Sequence, residues 1–476
     1  MNHRNMYCRP LRLFAFLLIL NLVDLVTPNH AVGLKRPNFL VLVSDDQRPD
    51  TIRALGNRII ETPHLDQLVL NGLTFTRANC AHPLCVPSRA EILTGCLGFR
   101  NGVHPPLNKP DLALPTWPQV MAAAGYRTYH VGKWMIAGRP STRGYQESLG
   151  LFASGKKSEM THPLDSAGRE VTGYRGWMFQ TDDRQLKPEE GVGLTPDISA
   201  KFADAAIEFI SRPSDQPFLL QVNFTAPHDP LLDPPEWINK YPADQMPLPK
   251  NFMERHPFDH GNYSGRDEEL NTWPRKKSDI RRDLATYYRV ISDMDVQIGR
   301  IINALTKHRQ IDNTVIIFTS DHGLAIGSHG LMGKQNMYEH TIGVPLIISG
   351  PGIPRNKRQT AQIYLRDLFP TTCDLANIPI PTTVDGQSFK AVIEGHQSRI
   401  YNYTFGYFKD RQRMVRSDRW KLIYYPHLKR YQLFDLKNDP DEIKDLSSAP
   451  AHHNVKEQLK KVMHRWQQQA NDPLLQ

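Results

Sequence analysis

The chain has 476 residues, 40% of them apolar and 22% charged, a balance that excludes a disordered polymer. Single α/β cores stop growing near ~250–300 residues, so this length implies one large domain with a smaller one beside it. A net charge of +9 favours anionic partners, such as sulfated or phosphorylated substrates, over cationic ones.

Arg4, Arg9 and Arg12 precede the apolar run from Leu13 to Leu20, which Asn21 and Asp24 interrupt. The run is short for a membrane span, so residues 1–31 read as a secretory signal peptide, with no stable span expected. The destination is exported: periplasmic, secreted or secretory-pathway. In such a compartment disulfides are expected among Cys80, Cys85, Cys96 and Cys373, although another use for Cys85 leaves an odd number to pair.

The continuous apolar run from Pro37 to Ser44 ends in Asp45-Asp46 and predicts a strand buried on both faces. Thr62 and Pro63 open a predicted helix to Val69 as N-cap and N1. Further helices are predicted over 88–94, 117–124, 197–210 and 284–305, and buried strands over 218–224, 314–320 and 345–349. This alternation predicts an α/β fold, a mostly parallel central sheet sandwiched by helices. After Pro381 short aromatic and β-branched runs at 401–405, 413–416, 420–425 and 431–435 predict a small antiparallel sheet. An amphipathic helix over 455–467 follows it. The expected layout is a catalytic domain over 35–380 and a C-terminal α+β subdomain over 381–476. The basic run Arg275-Lys276-Lys277 with Arg281 and Arg282 lacks interleaved aromatics. It reads as a solvated helix face, and no nucleic-acid partner is expected.

In open α/β sheets ligands bind beyond the carboxyl ends of strands. Two predicted strands end there in acids, Asp45-Asp46 and Asp321-His322. Each pair alone would serve as well to cap a helix or turn. Their matching positions favour a hard, oxygen-ligated cation, calcium or magnesium. Cys85-Val86-Pro87-Ser88-Arg89 places a thiol at a helix N-terminus with a guanidinium one turn on, an anion-binding arrangement. A lone buried cysteine fits the same residues.

Cys85-Val86-Pro87-Ser88-Arg89 also resembles the Cys-x-Pro-Ser-Arg signature of the type I sulfatases, in the alkaline phosphatase superfamily. Further segments resemble that family in order: Ser44-Asp45-Asp46, Gly132-Lys133-Trp134, Ala226-Pro227-His228-Asp229-Pro230, Ser320-Asp321-His322-Gly323 and Gly327-Ser328-His329-Gly330 with Lys334. The spacing resembles the iduronate- and choline-sulfatase branch. The resemblance implies an alkaline phosphatase-like fold and hydrolysis of a sulfate monoester, with a sulfated small molecule or polysaccharide as substrate. It implies that a formylglycine-generating enzyme oxidises Cys85 to formylglycine, whose hydrate attacks sulfur. It further implies one Ca2+ held by Asp45, Asp46, Asp321, His322 and the oxygen at position 85. Arg89 would stabilise the nucleophile, Lys133 and Lys334 would bind sulfate oxygens, and His228 would protonate the leaving alcohol.

One position departs from the family. A histidine commonly stands two residues after the lysine, where this chain has Met135. In the family that histidine is taken to help expel sulfate, so either another group such as His130 or His329 substitutes here, or release is slow, or turnover is lost. Arg139, Arg143, His162, Tyr174, Trp177 and Trp237 are candidate pocket residues. Asn223, Asn262 and Asn402 fit the glycosylation pattern. Two other readings of the same residues are a phosphonate monoester or phosphodiester hydrolase and a non-catalytic binder of sulfated polysaccharide.

Overall fold

A computed structural model describes residues 36–475, apart from 106, 109, 112 and 156–163. The segment read as a signal peptide and His162 lie outside the described residues. The described chain forms one compact unit. No helix in it is long and apolar enough to cross a membrane.

The strand Asn38–Ser44 is buried at every position. Its side chains alternate between two cores. Phe39, Val41 and Val43 join Ile92, Trp117, Leu346 and Ile348 on one side. Leu40 and Leu42 join Leu65, Phe202, Ile298 and Ile301 on the other. Two buried faces explain why the run is apolar throughout rather than alternating.

The strand pairs in parallel with Thr314–Ser320 on one side and Phe218–Asn223 on the other. Arg127–Lys133 and then Glu147–Ser154 continue the parallel set. Antiparallel Trp177–Gln180 and Leu186–Val192 follow at that edge. Towards the other edge Leu346–Ser349 runs antiparallel between Thr314–Ser320 and Gly72–Phe75, with Lys357–Gln359 outermost, so the ten-stranded sheet is mixed around a parallel centre. The predicted α/β class stands.

The second sheet is a four-stranded antiparallel meander of Thr404–Phe408, Gln412–Arg416, Trp420–Tyr425 and Arg430–Asp435. One face packs Val415, Leu422 and Leu433 on the terminal helix His453–Gln469. The other sends Met414, Ile423 and Phe434 into the main core.

Three expectations need correction. Thr62 precedes the helix Pro63–Asn71 but makes no capping bond. Its hydroxyl bonds Asp66, while Asp295, from the long helix Lys277–Lys307, accepts the His64 and Leu65 N–H groups at 3.0 and 2.7 Å. Arg275 is not on a solvated face. It is buried, lies 3.5 Å over the Trp273 ring and bonds the Glu268 carboxylate and the Gly330 carbonyl. Cys80, Cys85, Cys96 and Cys373 are all free and buried, so the expected disulfides do not form.

Candidate active site

The helix Cys85–Thr94 opens at the thiol itself, after an extended Leu84 with no side-chain cap. Its first N–H groups are therefore left for the site. Pro87 fits the first turn, where no intrahelical N–H bond is required. The Ser88 hydroxyl donates to the Asp321 carbonyl at 2.6 Å, pinning the helix to the end of Thr314–Ser320. Gly95, left-handed at φ 66°, closes the helix with its N–H on the Glu91 carbonyl.

Both acid pairs lie where their strands end. Asp45 and Asp46 follow Asn38–Ser44, and Asp321 and His322 follow the neighbouring strand. Asp46 takes a left-handed backbone, φ 67°. The Tyr287 hydroxyl steadies it by donating to the Asp46 carbonyl at 2.6 Å. Lys133 ends the strand beyond Phe218–Asn223, just past an irregularity between Val131 and Gly132. Gly132 has φ 92°, and a Cβ there would collide with the Asn223 carbonyl. The bulge thus depends on glycine and re-aims Lys133 towards the acids.

The side chains converge. Cys85 Sγ lies 3.4 Å from Asp45 Oδ1, 3.3 Å from His322 Nε2 and 3.6 Å from Lys334 Nζ. Lys133 Nζ and the Tyr174 hydroxyl both bond Asp45 Oδ2. Lys334 Nζ is 2.9 Å from each oxygen of Asp46. His322 Nδ1 is 3.1 Å from both the Gly323 carbonyl and Asp46 Oδ1. Arg89 Nε donates to Asp321 Oδ2 at 2.8 Å, and its Nη2 lies 3.8 Å from Asp45. His228 Nε2 is 3.7 Å from Asp46 Oδ2.

Asp45, Asp46, Cys85 and His322 each offer a ligand atom, all within 4.8 Å of one another, a group able to hold a metal ion. Asp321 stands beside this group, its carboxylate engaged by Arg89 and by the Asp46 and His322 N–H groups.

Burial raises the Asp45 carboxyl, but Lys133, His228 and Arg89 outweigh it and hold it well below the usual range. Burial and Asp45 push the Cys85 thiol up, and Lys133 and Lys334 pull it further down, to about 7. Burial lowers His322, but Asp321 and Cys85 carry it up to about 9. The site therefore favours an anion at position 85 ringed by cationic side chains.

A family model described as Sulfatase matches residues 37–378. The chain belongs to the sulfatase family. A second model, for the C-terminal region of N-sulphoglucosamine sulphohydrolase, matches residues 327–469. The chain is 29% identical to an arylsulfatase of Clostridium perfringens, over 90% of this chain and 94% of that one. Its fold matches a protein solved with its substrate D-glucosamine-2-N,6-O-disulfate, at TM-score 0.68 and 23% identity, covering 92% and 99%. It also matches the phosphonate monoester hydrolase of Agrobacterium radiobacter, at TM-score 0.72 and 21% identity, covering 91% and 96%. Family membership makes this chain a sulfuric ester hydrolase, an enzyme rather than a non-catalytic binder.

Of the candidate pocket residues in this sulfatase, Tyr174 reaches the cluster. Arg139 instead ties to Gln180 and to backbone carbonyls of Thr181 and Asp182, and Arg143 to the Ala137 carbonyl. Trp177 packs on Phe152 and Tyr174, and Trp237 stacks on Tyr241. Neither proposed substitute for the missing histidine bonds a side chain of the cluster. His130 is buried against Asn223 at 3.0 Å, and burial drops it to about 3. His329 stacks on Tyr338 at 3.8 Å and bonds Asn251. Asn223 is buried in its strand, out of reach of a glycosylating enzyme, whereas Asn402 is exposed.

Sequence reasoning missed Arg266, whose guanidinium bonds both oxygens of Asp229 at 2.6 and 2.9 Å beside His228. It opens a short 3-10 helix, Arg266–Leu270, with no motif, 38 positions from the histidine in sequence, so only the fold brings it there.

Proposed function

We propose that this sulfatase hydrolyses a sulfate monoester, R–O–SO3⁻ to R–OH and sulfate, with a formylglycine made from Cys85 beside one calcium ion. One observation carries the reading: a buried thiol at a helix N-terminus shares a 4.8 Å cluster with Asp45, Asp46 and His322. Two of the four donors are carboxylates, which suit a hard cation, and a formylglycine oxygen at position 85 would add a third oxygen. His322 fits as a further donor because Nδ1 faces the Gly323 carbonyl, leaving Nε2 towards the cluster. Asp321 is the nearest additional acid, 3.8 Å from His322 Nε2. When bound, calcium would polarise a sulfate oxygen, and formylglycine would supply an oxygen nucleophile in place of the thiol.

The remaining steps belong to the chain. Arg89 bonds Asp321 through Nε and keeps both Nη groups without a hydrogen-bond partner, two donors for developing negative charge. Lys133 and Lys334 flank position 85 and hold sulfate oxygens, excluding water from a fully buried site. His228 gives a proton to the leaving oxygen. Burial and Lys334 lower this imidazole, but Asp46 and Asp229 hold it well above its ordinary range, which favours the protonated form.

The substrate class we favour is sulfated carbohydrate, in keeping with the positive net charge and an exported chain. Maturation calls on a formylglycine-generating enzyme. Mass spectrometry of the peptide containing Cys85 tests the proposal, together with sulfate release from 4-nitrophenyl sulfate with and without added calcium. An unaltered thiol in fully active protein overturns the nucleophile. Turnover of bis-4-nitrophenyl phosphate alone would instead favour the phosphodiester reading.

A further inference from the structure

His228 is held on three sides. Tyr174 meets its ring edge-on, with centroids 4.7 Å apart. Asp46 Oδ2 lies 3.7 Å from Nε2. Nδ1 faces two oxygens of the next residue, the Asp229 carbonyl at 2.6 Å and its carboxylate at 3.0 Å. Both can only accept, so Nδ1 carries a hydrogen and Nε2 is the nitrogen free to exchange one.

The Asp229 carboxylate is itself fixed. Arg266 grips both its oxygens, and Arg266 also bonds Asp267, whose other oxygen takes the Gln335 amide at 2.8 Å. Asp229 is only 7% exposed. A bidentate clamp of this kind restricts the carboxylate to one orientation. Arg266 cannot serve a substrate anion while two acids occupy it.

We propose that Asp229, clamped by Arg266, is a positioning residue that fixes His228 for proton delivery to the leaving group. In the step it serves, the oxygen nucleophile proposed at position 85 would bond to sulfur as the S–O bond to the alcohol breaks, and the electron pair of that broken bond goes to the leaving oxygen. That oxygen takes the Nε2 proton. Nδ1 keeps its hydrogen on Asp229, and the imidazole ends neutral. Asp229 touches no substrate and acts only through the ring. The inference rests on His228 being the acid, as proposed above.

Leaving-group dependence separates this role from general support of the fold. 4-Nitrophenolate departs readily without a proton, whereas phenolate from unsubstituted phenyl sulfate needs one more. For Asp229→Asn, the single-turnover rate of phenol release from phenyl sulfate is expected to fall ~10²-fold. The loss on 4-nitrophenyl sulfate is expected to be at least ~10-fold smaller, with KM moving little on either substrate. Arg266→Gln leaves the carboxylate in place without its clamp, and is expected to shift the substrate ratio the same way by less. It also keeps the question answerable if Asp229→Asn fails to fold. Equal losses on the two substrates in both variants, or none, overturn the positioning role. His228→Ala is the reference: if it loses equally on both substrates, the acid assignment fails first, and the two failures are told apart.

Discussion

Replacing Lys421 with methionine removes one of two cations, with Arg416, that join the C-terminal sheet to Glu339 in the segment following Lys334. Lys421 Nζ is buried, 2.6 Å from Glu339 Oε1, 2.7 Å from Glu442 Oε1 and 3.0 Å from the Met337 carbonyl. Methionine nearly preserves volume, so the charge contribution dominates the change. Glu339 keeps two Arg416 bonds, at 2.8 and 2.9 Å. Glu442 keeps the Glu339 N–H at 2.7 Å but loses its cation. Stranding one member of a buried pair costs ~3–5 kcal/mol, unless the stranded acid takes up a proton. Burial already lifts Glu442 to about 7 against the pull of Lys421. An acid raised by folding holds more protons than the unfolded chain does. Its contribution to stability is therefore favourable at low pH, falls as pH passes the unfolded value of ~4.3, and levels off above the folded value. The parent levels off near pH 7. Without Lys421 the folded value moves higher, and stability keeps falling by ~1.4 kcal/mol per pH unit. Two units above pH 7, the deficit reaches ~3 kcal/mol, against a small one at pH 6. Urea denaturation at pH 6, 7.5 and 9 reads this as midpoints that diverge with pH. Adding Glu442→Gln should abolish the divergence. A deficit that ignores pH, or survives in the double variant, refutes the reasoning.

Two further outcomes concern catalysis. Lys133→Met and Lys334→Met should each lower kcat by ~10²–10³-fold with an unchanged circular dichroism spectrum, since each removes a fixed cation from a water-excluded site. Rates within tenfold of the parent would take that lysine out of sulfate binding. Met135→His should raise steady-state turnover at least ~10-fold while leaving the initial burst unchanged, because a base is restored for sulfate release. An unaltered steady-state rate would show that release does not limit the parent.

The central strands were legible because burial on both faces leaves a mark that no surface strand shows: Phe39–Val43 and Val315–Phe318 are apolar without interruption. The acids after them were legible for the same reason, being the first charges beyond a buried run. Arg127–Lys133 carries Arg127, His130 and Lys133 among its apolar positions, so it stood out as a motif and not as a strand. Glu147–Ser154, two strands in from one edge, and Leu186–Val192, at that edge, are half exposed and have no clean alternation. The disulfide expectation failed because all four described cysteines are packed as free side chains. At the site, Cys85, Arg89, Lys133, His228, Lys334 and both acid pairs lie together; the sulfatase resemblance, more than any local pattern, had singled them out. Tyr174 stood in the sequence as a generic aromatic loop residue. Its bond to Asp45 arises from tertiary folding, as does the Arg266 clamp on Asp229, and neither leaves a local signature.

Ser44 lies opposite Ser320 in a seven-residue parallel ladder. The two acid-bearing tips therefore start at the same height by virtue of strand register alone. Slipping one strand by a single residue would shift its tip by ~3.3 Å and turn every side chain to the opposite face. Length changes inside either strand should accordingly be among the least tolerated alterations in the protein. Loops entering at the far end of the sheet, such as Ile311–Asn313, can vary without disturbing the level at which Asp45 and Asp321 emerge.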